Sequence, residues 1–276
     1  MDDKRSAPIG VFDSGIGGLT VAREIMRNLP NEKIVYFGDT ARVPYGSKSQ
    51  AVVRRYSRQI VRFLKTQGIK AIVVACNTAS AYALEDVREE AGDMPVIGVV
   101  EPGAKVAAET TKNGRIGVMA TKATISSGAY TRAIWDLSRS AEVFGVACPM
   151  LVPLVEEGWI HDEVTDTVLR RYLAPLFEEK VDTLILGCTH YPLLRSAIAR
   201  VVGDDICLVN PAYETARALG ELLVNEGLDD PEKPRKDEPT PYRFFVSDEA
   251  ERFTDFASMI LPIDVKSARL IQIEKY

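Results

Sequence analysis

Two cysteines stand where a thiol could react rather than merely pack. Cys76 closes the apolar run IKAIVVA and is followed at once by Asn77, Thr78 and Ser80; Cys188 closes VDTLILG and is followed by Thr189 and His190. Each sulfur is thus expected at the mouth of a strand, facing the start of a helix. An unperturbed thiol, with a pKa of about 8.5, needs about 2 kcal/mol to become a thiolate near neutral pH. A helix N-terminus supplies about 0.3–1 kcal/mol, and hydrogen bonds from Thr78 or Thr189 could supply the rest. The sequence therefore predicts sulfurs activated without a metal.

Four chemistries compete for such a pair. Zinc could be held by Cys76, Cys188 and His190, but the clustered ligand spacing of zinc sites is missing and no fourth ligand is evident. Redox exchange would call for a C-x-x-C, which is absent. A cysteine phosphatase would need an arginine within a phosphate loop, and Arg195, the nearest, lies outside any recognisable one. Acid–base work from opposite faces of a substrate is the fourth. Cys148 and Cys207 have no such surroundings and read as packing.

His190, two positions after a candidate cysteine, is a proton partner in this reading, although alone it could be a satisfied core residue. His161 is expected at a helix start. Glu156 and Glu157 are candidates only because they follow the apolar run CPMLVPLV near a strand end. Asp13 opens DSGIGG, where its plain alternative is a helix cap. As a dinucleotide fingerprint DSGIGG fails, since Thr20 stands where the third glycine belongs; binding of an anion such as a carboxylate by this turn is the better reading.

These residues must be positioned by a repeating phrase of short apolar run, small polar turn and helical stretch, which marks βα units. Strands are expected at 9–12, 34–37, 69–75, 96–100, 116–119, 143–147, 184–186, 206–209 and 242–246. Runs such as AIVVA and TLILG are apolar throughout, as parallel strands covered on both faces should be. Ile9-Gly10-Val11 recurs as Ile116-Gly117-Val118, and Cys76 has its counterpart in Cys188 at nearly the same spacing. The expectation is an α/β fold of two similar parallel-sheet lobes related by duplication, with 1–100 plus 210–276 forming a discontinuous first lobe and 101–209 the second. The charged, proline-rich stretch LDDPEKPRKDEPTP reads as an exposed loop.

Lys+Arg total 34 against 39 Asp+Glu in 276 residues, a formal charge of -5, with no basic run interleaved with aromatics, so nucleic acid is not an expected partner. The apolar runs are strand-sized, far short of the roughly 20 residues a membrane helix needs, so no membrane partner is expected either. Four scattered cysteines without a signal peptide point to free thiols and the cytoplasm.

DSGIGGLTV, GDTARVPYG, ACNTAS, CPMLVPLVE and LGCTHYPLL, in this order, resemble bacterial glutamate racemases of the aspartate/glutamate racemase superfamily, over 9–218 or so. The resemblance implies two flavodoxin-like lobes in pseudo-twofold relation with the site in the cleft between them. It also implies cofactor-free interconversion of L- and D-glutamate, the D-isomer feeding peptidoglycan synthesis. Carried over, Cys76 acts on D-glutamate and Cys188 on L-glutamate, with Asp13 supporting Cys76, and Glu156 and His190 supporting Cys188. Substrate would be held by Asp13, Ser14, Tyr45, Gly46, Asn77, Thr78, Thr121, Thr124, Thr189 and His190. The chain departs from the family at NPAYETA, after the strand near 206–209, where an Asp-Ser pair or similar is common; this is expected to be a local difference at the cleft edge. The alternatives are a racemase of another acidic amino acid such as aspartate, or a catalytically idle amino-acid-binding protein. A homodimer is compatible with the sequence, which does not specify the oligomeric state.

Overall fold

The computed structural model describes residues 4–232 and 241–276. Along the chain, β1 (Ile9–Asp13), α1 (Leu19–Asn28), β2 (Ile34–Gly38), α2 (Gln50–Lys65), β3 (Ala71–Val74), α3 (Asn77–Ala91), β4 (Val96–Gly98) and α4 (Val100–Thr110) alternate strictly. They are followed by β5 (Arg115–Ala120), α5 (Lys122–Ser127), α6 (Ala129–Leu137), β6 (Glu142–Ala147), α7 (Leu151–Glu156), α8 (Glu163–Glu178), β7 (Thr183–Gly187), α9 (Arg195–Val202) and β8 (Cys207–Val209). The chain ends with α10 (Pro211–Asn225), β9 (Tyr242–Val246), α11 (Ala250–Ile260) and β10 (Arg269–Leu270).

The strands form two sheets, ordered β10-β9-β2-β1-β3-β4 and β6-β5-β7-β8, and every pairing in both is parallel. Read as strand order within each half, β2-β1-β3-β4 and β6-β5-β7-β8 are the same pattern, so the motif echo in the sequence corresponds to a repeated topology. Burial explains why the central strands are apolar on both faces. Ile9 and Val11 face one cluster while Phe12 faces another, and in β2 Ile34 and Tyr36 oppose Val35 and Phe37. Helices cover both sides, as a parallel sheet requires.

All nine expected strands form, with boundary shifts. Residues 99–100 leave the strand predicted at 96–100: Val99 caps α4 and Val100 begins it, because buried Val100 packs as part of a helical face with Ala104 and Ala107. The two-residue β10 was not foreseen; both of its residues are exposed, so it carries no apolar signal. His161 lies just before α8, whose cap is Asp162. Of the charged segment 228–241, residues 233–240 lie outside the described residues. At its beginning Asp229, Pro231 and Glu232 are exposed as expected, while the backbone is anchored: Asp230, itself buried, has its N–H donating to Glu32 Oε1 at 2.9 Å and Lys70 Nζ donates to Leu228 O at 2.8 Å. The buried Lys70–Glu32 ion pair has remaining hydrogen-bonding capacity that this backbone satisfies.

In both sheets the chain first moves to one side of its starting strand and then to the other. That reversal places a topological switch point between β1 and β3 and another between β5 and β7, where crevices open at the carboxyl ends of the strands. Asp13 ends β1 and Cys76 follows β3; Thr121 follows β5 and Cys188 follows β7. Each lobe thus brings one cysteine to its own crevice.

Candidate active site

The two crevices share one cavity of about 40 Å³, lined among others by Ser14, Tyr45, Gly46, Cys76, Asn77 and Thr78 from the first lobe and Thr121, Glu156, Cys188, Thr189 and His190 from the second. Val43, Pro44 and Val152 supply its apolar wall. By that measure it holds a few waters. A larger cavity of about 740 Å³ opens beside α3, α4 and α6, but no cysteine or histidine lines it; the smaller one is where Cys76, Cys188 and His190 meet. Of the residues expected in the site, Asp13 and Thr124 do not line the cleft. They lie behind its wall, 0% and 1% exposed.

Glycines let the lobes approach. A Cβ on Gly17 would stand 2.4 Å from Thr189 Oγ1 and 2.5 Å from His190 Nδ1, and one on Gly46 would stand 2.7 Å from Thr121 Cβ. DSGIGG is therefore a seat for the opposite loop that carries Cys188, Thr189 and His190. Thr20, which breaks the dinucleotide pattern, has its hydroxyl 2.9 Å from Thr189 O and 3.0 Å from Gly17 O, tying the loop after β7 to the start of α1. Tyr130 Oη donates to Asn77 Oδ1 at 2.6 Å across the lobes. Thr78 Oγ1 lies 3.0 Å from Thr121 Oγ1 and 3.3 Å from Thr124 Oγ1, while Thr121 caps α5.

The surroundings of the two sulfurs differ sharply. Cys76 is the cap residue of α3. Burial, reinforced by the Asp13 carboxylate, pushes its thiol up to about 12, against the pull of the Ala79 N–H and the Ser14 hydroxyl. The helix start expected to favour a thiolate is present at this position, but in the closed cleft desolvation outweighs it and favours the thiol. Asp13 is itself raised by burial, opposed by His190 and by backbone N–H groups of Gly18, Gly15 and Ser14. It ends β1 and accepts from Gly15 N–H at 3.0 Å, whereas α1 is capped by Gly18, so the helix-cap reading of Asp13 does not hold.

Cys188 Sγ lies 3.8 Å from His190 Nδ1, and His190 Nε2 lies 3.0 Å from Glu156 Oε1. Burial pulls His190 down, but hydrogen bonds to Cys188 and Glu156 win and bring it up to about 10. Glu156, whose burial alone would raise it, is held low by His190 and Arg252. The imidazole thus stands between the Cys188 sulfur and the Glu156 carboxylate, with its protonated form favoured by both neighbours.

No lysine or arginine lines the cleft, and among the described residues no group of three or more His, Cys, Asp and Glu side chains is placed to hold a metal ion. Zinc held by Cys76, Cys188 and His190 therefore lacks a ligand set. Among the described residues no helix is long and apolar enough to cross a membrane.

Several contributors escaped the sequence reading. Asp39, fully buried, accepts from Arg42 Nε at 2.8 Å, from Ser247 Oγ at 2.9 Å and from Tyr45 Oη, and so fixes Tyr45 in the cleft wall; its signal was an acid at a strand end inside GDTAR. Residues 210–216, expected at the cleft edge, are instead the start of α10, where Asn210 caps by accepting from Ala212 N–H and Pro211 packs on Gly103. None of them lines the cleft.

Residues 9–219 match the family described as Asp/Glu/Hydantoin racemase. The chain is 47% identical to a glutamate racemase of Chlorobaculum tepidum over 265 residues, covering 96% of each, and 46% identical to one of Neisseria meningitidis over 269 residues, covering 98% of each. Among solved structures it resembles a glutamate racemase of Bacillus anthracis with TM-score 0.92 and 41% identity, covering 97% of this chain and 98% of that one. It also resembles one of Francisella tularensis in complex with D-glutamate, with TM-score 0.90 and 37% identity over 99% and 100% of the chains. The chain belongs to the Asp/Glu/Hydantoin racemase family and, within it, to the glutamate racemases.

Proposed function

We propose that this chain interconverts L- and D-glutamate in the cytoplasm without a cofactor, supplying the D-isomer for peptidoglycan synthesis. We also propose that 1–100 plus 210–276 and 101–209 are the two lobes that close on substrate. The observation that carries the mechanism is the placement of Cys76 and Cys188 in one cleft from opposite lobes. Inverting a stereocentre needs a proton taken from one face and delivered to the other, so two groups must stand on opposite sides of one carbon.

With L-glutamate, Cys188 thiolate removes the α-hydrogen. The C–H bond breaks, an S–H bond forms, and the electron pair left on Cα delocalises into the carboxylate. The Cys76 thiol then delivers its proton to the opposite face and becomes the thiolate; D-glutamate reverses every step. Burial keeps Cys76 protonated at rest, the form needed for this direction. Without lysine or arginine in the cleft, substrate carboxylates are held by neutral donors: Ser14, Asn77, Thr78, Thr121, Thr189, and backbone N–H groups such as that of Gly46. Tyr45 closes the wall, and Asp13 and Thr124 brace these groups from behind.

The test is chiral analysis of purified protein incubated separately with L-glutamate, D-glutamate and both enantiomers of aspartate, with no added cofactor. Racemisation of glutamate well above that of aspartate is expected. Folded protein that leaves glutamate untouched would overturn the reading, and preference for aspartate would reassign the substrate.

A further inference from the structure

Glu156 does not end the line of charged groups behind Cys188. Its second oxygen, Oε2, lies 3.8 Å from Arg252 Nη2, while Oε1 lies 3.0 Å from His190 Nε2. Arg252 Nη1 is in turn 3.3 Å from Glu249 Oε2. One carboxylate thus stands between two cations, one buried beside the catalytic sulfur and one half exposed at the surface. The two cations also come from different bodies. Arg252 belongs to α11, between β9 and β10 of the six-stranded sheet, whereas Glu156 ends α7 and His190 follows β7, both attached to the four-stranded sheet. A cavity of about 30 Å³ beside the cleft, walled in part by Gly15, Val43, Glu156, Glu249 and Arg252, marks where α11 meets the second lobe.

We propose that Arg252 is a positioning residue that acts across the cleft, holding Glu156 against His190 so that the Cys188 side becomes competent when the two lobes close. This inference rests on the racemase reading given above. When the lobes part, α11 draws Arg252 away from Glu156 and the carboxylate loses one of its two cationic partners. When they close, the pair re-forms and Glu156 is oriented toward His190 Nε2.

The groups facing this line from each packed element are Cys188 and His190 after β7, Asp13 at the end of β1, and Arg252 in α11 with Glu249 at its cap. Of these, His190 and Arg252 hold the Glu156 carboxyl down. Loss of Arg252 should therefore raise the pH at which Glu156 titrates. An ion pair whose arginine is half exposed is weak and salt-sensitive, so the effect is graded rather than absolute.

The experiment uses the full chain with Arg252→Gln and Arg252→Lys. Arg252→Gln should lower kcat/KM by roughly three- to tenfold and move the acid limb of its pH profile upward by roughly half a unit. The loss should be equal for both enantiomers, because they have equal free energy in water. Arg252→Lys should recover most of the loss, and wild type at high salt should approach Arg252→Gln. NMR titration of the Glu156 carboxyl, which needs no turnover, should show the same upward shift. An unmoved acid limb together with an unmoved Glu156 titration would overturn the proposal. A shifted Glu156 in a protein that does not racemise glutamate would instead count against the racemase reading alone.

Discussion

The first-lobe and second-lobe halves of the cleft are built on the same strand order yet give their cysteines different neighbours. At the end of β3, Cys76 is enclosed by apolar packing and a neighbouring carboxylate, and burial takes its thiol up to about 12. At the end of β7, Cys188 has the His190 imidazole 3.8 Å away, backed by Glu156. Duplication supplies the geometry, one sulfur per crevice, and local side chains then separate the roles. The side chains that differ are a histidine and its carboxylate partner, present beside Cys188 and absent from the surroundings of Cys76.

The comparison breaks most severely when either sulfur is removed. Cys76→Ala and Cys188→Ala should each lower racemisation by at least about 10³-fold, measured by chiral analysis, since each deletes an obligatory proton carrier. Replacing the group that distinguishes the halves comes next: His190→Asn should cost about 10²-fold in kcat/KM. In the unaltered protein His190 holds its proton below about 10, so kcat/KM should fall as pH rises through that region and His190→Asn should lose that limb.

Gly17→Ala tests whether the halves must touch. The added Cβ would lie 2.4 Å from Thr189 Oγ1 and 2.5 Å from His190 Nδ1, displacing the loop that carries Cys188. A loss of about 10- to 10²-fold in kcat/KM is expected with little change in Tm. The smallest effect belongs to Thr20→Val, which removes the hydroxyl 2.9 Å from the Thr189 carbonyl. It should cost about 1–2 kcal/mol, seen as a Tm decrease with a several-fold loss of kcat/KM.

The strands and their ends were legible because parallel strands covered on both faces must be continuously apolar and must stop at small polar turns; AIVVA-Cys76 and TLILG-Cys188 are the clearest cases. The pairing of the cysteines was legible for the same reason, as equal places in a repeated unit. Their protonation was not: the helix start at Cys76 is local and visible, whereas the burial that defeats it comes from elements distant in sequence. Thr20, Tyr130 and Arg252 were missed because their partners lie in another lobe or a remote segment, and no spacing rule reports on them; Asp39, whose partners Arg42 and Tyr45 are local, had its signal in the acid at the strand end. The strand at Arg269–Leu270 was missed because an exposed edge needs no apolar pattern.

The central claim is that two sulfurs address one carbon from opposite sides, and isotope transfer tests it most directly. L-Glutamate should be racemised in deuterated water and the products analysed at low conversion. The account predicts that the D-glutamate formed carries deuterium at Cα while unconverted L-glutamate remains undeuterated. Protium carried over from substrate into D-glutamate would mean that one base serves both faces, and would contradict the account.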